Sequence, residues 1–371
     1  MMPLTCWENN NAAPVTHESA IVLKRNNDAP SIIFKTPDRV LLSGEDIISF
    51  IASQHVRAAY TMFRPFPFTI EQAVTWRARS SDIMRWTMFI GAKIVQAVID
   101  GTNKEQYAGW VNRFHDQVLA SAGLDPEISS LRARLSSLLD LSLYSSLVVN
   151  NSTGYSMFRK SAPVFVRLAS QYPRLWTQDS TISLNAALYA QGFDIPRFTF
   201  LDTIYALVFG VAPLIHYDMG RPRSMDMDHF RSLEWVLGCP PEALLALAKI
   251  NAWRVSQQLE HTATMPKLNQ WREIEEQLQA WRLTVEHIDE PSNVVARLAV
   301  FEGWRQAALI YLYMGMCGVN SADPRVESSV RQIAQLIGTI QPGVSPEPYM
   351  MIPCLIAGVA ARREKHRALI H

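Results

Sequence analysis

The densest gathering of metal-capable side chains in this sequence is "HYDMGRPRSMDMDHF", which holds His216, Asp218, Asp226, Asp228 and His229. Imidazole nitrogens and carboxylate oxygens gathered this way are raw material for a divalent-cation site. The spacing argues against one. Asp226 and Asp228 alternate, so in an extended segment they point to opposite sides, and Gly220 and Pro222 mark a loop. A hard cation wants several carboxylates converging. The reading is a solvated loop whose acids cap the next helix. Cys6, Cys239, Cys317 and Cys354 are widely separated, with no C-x-x-C pair to fix zinc, and read as buried free thiols.

Other chemistry fares no better. No two aspartates are adjacent, which removes the paired carboxylates that would bridge magnesium to a diphosphate. The stretch "VFGVAPLIHYD" has one glycine where a phosphate loop needs several. Ser156 in "TGYSMF" lacks the second glycine of a nucleophile elbow, and there is no H-E-x-x-H. Among ten tryptophans, Trp253, Trp271, Trp281 and Trp304 fall on apolar helix faces, so they read as core rather than as an aromatic cage. The tail "ARREKHR", Ala361 to Arg367, reads as the positive end of a helix, with a localisation or phosphate patch as the alternative. Catalytic, cofactor and metal residues are therefore not expected.

The elements that position these residues are helices. From Gly44 onward, "EDIISFIASQHVRAAYTMF", "SDIMRWTMFIGAKIVQAVID" and "EQYAGWVNRFHDQVLASAG" place apolar residues three and four apart. In "PEISSLRARLSSLLDLSLYSSLVVNN" and "TGYSMFRKSAPVFVRLASQY", the residues Asn150, Asn151 and Gly154 read as punctuation between two helices. Trp271, Ile274, Leu278 and Trp281 form one wide stripe, and Val326, Val330, Ile333, Ile337 and Ile340 another. Asp323 is placed as an N-cap with Pro324 at the first helical position. No βαβ alternation is visible. The expected fold is all-α, one large multi-helix domain of irregular antiparallel packing over residues 41–371, after a flexible N-terminal arm over 1–40.

Charge and hydropathy limit the partners. Lys plus Arg number 35 against 34 Asp plus Glu, so the chain lacks the positive field that holds a protein on DNA or an anionic membrane. The least polar passage, "GWRQAALIYLYMGMCGVNSADPRV", has no charge from Gln306 to Ala322. It falls short of the roughly 20 apolar residues of a spanning helix, and reads as a buried helix over about Ala299 to Gly315. The start "MMPLTCWENNNAAPV" is too polar for a signal peptide, which leads to an intracellular expectation.

Four segments taken together resemble the fungal-specific transcription factor regulatory domain, the helical middle homology region of zinc-binuclear-cluster regulators. "RFTFLDTIYALVFGVAPLIHYD" is similar to its pattern of an Asp, an apolar helix, Gly-x-x-Pro and Tyr-Asp, here Asp202, Gly210, Pro213, Tyr217 and Asp218. "EWVLGCPPEALLALAKINAWR" resembles the next block, a Gly and Pro before a helix ending near a tryptophan, Trp253. The greasy passage resembles the third, with Trp304, Arg305, Asp323 and Pro324, and "IPCLIAGVAARREKHRALI" the fourth, with Pro353, Gly358 and Arg367. The resemblance covers roughly residues 145 to 371.

It implies a non-catalytic regulatory domain in the nucleus, acting on RNA polymerase II transcription through protein partners of the transcription machinery or a small-molecule effector. Six clustered cysteines would be needed to read DNA, so zinc and direct DNA binding are not expected of this chain. The family pattern runs past the closing Arg, so truncation at the C-terminus is expected. The alternatives are an all-α small-molecule-binding protein or enzyme with a cavity among its helices, or a helical protein-interaction scaffold. Asp202 and Arg305, each beside a long apolar run, read as a cap or paired charge that fixes helix packing.

Overall fold

The computed structural model describes residues 44–62, 70–121, 127–220, 237–260, 268–282, 291–339 and 347–370. The arm over 1–40, Ile340, and Asp226, Asp228 and His229 of the acidic loop lie outside them. The fold is all-α.

Three helices open the described residues: α1 (Gly44–Met62), α2 (Ile70–Ser80) and α3 (Asp82–Ile99). Ser81, in extended conformation between the last two, accepts the Met84 N–H through its hydroxyl and so caps α3. The three share a small core around Ile48, Ile51, Met84, Met88 and Phe89. Next come α4 (Ala108–Ala120), α5 (Ile128–Val148), α6 (Asn151–Lys160) and α7 (Ala162–Ala169).

Helix α5 is a hub that packs against α3, α4, α6 and α7. Its serines explain how so many neighbours come close. Ser136, Ser137, Ser142 and Ser145 are buried, and their short side chains leave room for adjacent backbones. Ser137 Oγ lies 2.6 Å from Thr87 Oγ1 on α3. On α6, a Cβ at Gly154 would stand 2.7 Å from the Ser142 carbonyl oxygen. Gly154 is thus a close-approach residue inside α6, and the break before it belongs to Asn150, whose Oδ1 accepts the Thr153 N–H.

The second half holds α8 (Leu184–Leu188), α9 (Asp194–Phe209), α10 (Pro241–Glu260), α11 (Leu268–Ala280), α12 (Pro291–Gly315), α13 (Pro324–Thr339), α14 (Met351–Ala360) and α15 (Glu364–Ile370). Two short strands, β1 (Ile182–Ser183) and β2 (Tyr217–Asp218), pair in parallel with Ile182 opposite Tyr217. Helical periodicity gives no sign of so small a pair.

Helix α12 is the second hub, packed by α10, α11, α13 and α14. Trp304, Ala307, Ala308, Ile310 and Leu312 are buried, so the greasy passage is core, as its length suggests. The helix starts at Pro291 rather than near Ala299, with proline in a first turn where its missing N–H has no intrahelical partner. Helices α9 and α10 pack on each other and tie the hubs together, so one continuous core runs from Ile90 to Ala361. Among the described residues, no helix is long and apolar enough to cross a membrane.

Candidate functional site

Helix α9 stops at Gly210, whose φ of 65° is the left-handed conformation that ends helices and that glycine adopts without steric cost. The chain then turns back through Pro213. The next two amides reach the side chain of Asp202: the Leu214 N–H donates to Oδ1 at 2.7 Å and the Ile215 N–H to Oδ2 at 3.2 Å. Asp-helix-Gly-x-x-Pro is thus a folding device. The carboxylate waits on the helix, the glycine reverses the chain, and the proline precedes the two donors.

Asp202 is 2 % exposed. Burial pushes its carboxyl up to about 7 against the pull of the two amides, because no cation among the described residues faces it closely enough to offset lost hydration. Asp202 is accordingly a loop cap and not a paired charge. Burial, and next the Asp202 carboxylate, push the Tyr217 phenol well above its usual range. Its hydroxyl faces Asp202 and Thr199 without hydrogen-bond geometry to either. Asp218 receives the Gly220 N–H at 3.3 Å in a local turn.

Beside this loop lies a buried polar chain spanning three helices. The Asn251 amide on α10 donates to the Thr203 carbonyl on α9 at 2.9 Å. The Tyr311 hydroxyl on α12 donates to Asn251 Oδ1 at 2.7 Å, and the Arg254 guanidinium donates to Tyr311 at 2.6 Å. Every polar atom named has a partner, as burial requires. No spacing rule points to Asn251, although one amide inside "LLALAKINAW" is a usable sign. Asp140 is a parallel case. This carboxylate within "SSLLDLSLY" binds Arg77 at 2.8 Å and Arg197 at 2.7 Å. Burial pushes its carboxyl up, but the Arg197 and Arg77 guanidiniums outweigh that and hold it below the usual range.

The third block forms a clasp. Arg305 donates to Glu302 at 2.5 Å and to the Trp281 carbonyl at 2.6 Å, and its guanidinium lies 5.1 Å from the Trp281 ring centre. It ties the end of α11 to α12. Asp323 accepts the Arg325 N–H at 2.9 Å, directly before Pro324 opens α13, and its carboxylate also holds the Arg325 side chain. That guanidinium sits 4.6 Å over the Tyr313 ring, whose hydroxyl donates to Glu275 on α11. Of the four tryptophans read as core, Trp304 is 1 % exposed. Trp253, Trp271 and Trp281 are half-buried at the rim, where Trp271 and Trp281 carry arginines over their faces.

These contacts fix helix positions. Among the described residues, no three His, Cys, Asp or Glu side chains gather to hold a metal ion. The class of protein they define is an all-α body stapled by buried polar contacts. The family model for the fungal specific transcription factor domain matches residues 176–371, and the chain belongs to that family. The match begins later than the resemblance seen from about residue 145. No curated protein and no solved structure matches the chain.

Proposed function

We propose that the chain is a non-catalytic regulatory domain of a fungal transcription regulator, working in the nucleus through protein partners of the transcription machinery or a small-molecule effector. The observation that supports this most is the family match over residues 176–371, which contains the Asp202 loop, the Asn251 chain and the Arg305 clasp. Those groups are spent on packing, as suits a platform that transmits a change of helix arrangement. An effector or partner alters such a platform only by binding one arrangement more tightly than another. Sequence reading of DNA is assigned to another polypeptide segment or partner, and zinc to such a segment.

Fusing the chain to an unrelated DNA-binding module and placing that module's site before a reporter tests the proposal. Reporter output is expected to change against the module alone. Unchanged output, with the fusion intact in the nucleus, overturns it.

A further inference from the structure

Near the C-terminus a cleft of about 250 Å³ opens between α13, the loop before it and the α14–α15 corner. Its polar wall is Ser321, Glu327, Arg362, Arg363 and His366, and Val330 and Ala360 form an apolar floor. The wall is uneven in charge. Glu327 is already bound by Arg363, which leaves Arg362 with no ion-pair partner among the described residues. Arg331 and Lys365 lie near enough to act on the His366 ring, and His366 is only 5 % exposed.

The geometry points to a binding site for a small oxyanion, a phosphate or carboxylate group, held by Arg362 and Arg363 with Ser321 and His366 completing the contacts. Three lines of argument support it. A guanidinium fork matches a phosphate or carboxylate edge with two parallel hydrogen bonds, and a cleft with surplus cations gains most from an added anion. The volume lies below the roughly 300–1,000 Å³ of sites that take drug-sized ligands, which suits an ion or small acid and not an extended hydrophobe. The floor is also small, so little of the ligand can be apolar. An anion there would bear on the Arg363–Glu327 pair that joins the link before α15 to α13. The binding claim does not rest on a transcriptional role.

The test is titration of the full chain with inorganic phosphate and, separately, with succinate, at ionic strength held constant with sodium chloride and followed by calorimetry. Saturable binding of either probe is expected, and the tighter one identifies the ligand's head group. Arg362→Ala is expected to weaken that binding about tenfold or more, the scale of one lost charge-assisted contact. Its thermal unfolding should stay unchanged, because Arg362 is exposed. Arg174→Ala removes another exposed charge elsewhere and is expected to bind like the parent. Absence of saturation with both probes, or equal binding by Arg362→Ala, overturns the inference.

Discussion

At the scale of the residue, Asp202 decides the most. Its folded carboxyl binds a proton more tightly than the ordinary 3.8, up to about 7. Its contribution to stability is therefore complete below about pH 4 and is lost as pH rises through 7. Asp202→Asn keeps the shape but can accept only one of the two loop amides. It is expected to cost about 1–3 kcal/mol from the amide left unpaired. Urea unfolding from pH 5 to 8 should show that gap narrowing as pH rises; a gap of constant size would contradict the assignment. Arg305→Ala should lower stability by roughly 1 kcal/mol, because the half-buried Trp281 carbonyl loses its 2.6 Å donor and keeps only the 3.3 Å one from Arg282. Unchanged thermal unfolding with lost reporter output would instead make Arg305 a binding residue.

At the scale of the element, the helices were legible and their reasons for adjacency were not. Three-four spacing shows which face of α13 is apolar, and Asp323 before Pro324 marks where it starts. The same spacing says nothing about Gly154, because a glycine inside a helix looks like a break until a second backbone is seen against it. Gly154→Ala puts a Cβ against the Ser142 carbonyl, a backbone atom that no rotamer change can move aside. The expected loss is about 1–3 kcal/mol from overpacking, read as an earlier urea midpoint. Ser142, and Ser146 whose hydroxyl also faces Gly154, look merely polar in the sequence and make that approach possible. Likewise Asn251, Asp140 and Arg197 are single polar letters in apolar runs. Their types hinted at burial, but their partners lie tens of residues away and no spacing rule reaches that far. The clasp at Trp281 is half legible: the stripe shows in the spacing, and the arginine over its last ring does not.

At the scale of the whole molecule, the family match and the folding unit have different limits. The match starts at residue 176, whereas the larger core starts with Ile90 and includes α5 as a hub. A fragment of residues 176–371 would strip α9 of its α5 and α7 neighbours and leave Arg197 without Asp140. Removing one partner of a buried ion pair costs about 3–5 kcal/mol even before the lost apolar contacts are counted. The fragment is expected to lack a cooperative thermal transition and to be cut quickly by protease, while the full chain shows both cooperativity and resistance. A sharp transition in the fragment would show that the core divides at residue 176. Asp140 has a further consequence in time. Arg77 and Asp140 both leave the ribosome before Arg197, so when the later arginine is synthesised its counter-ion already exists. The shared acid is thus in place before the second arginine, and α9 need never be stranded as a buried cation awaiting an acid not yet made.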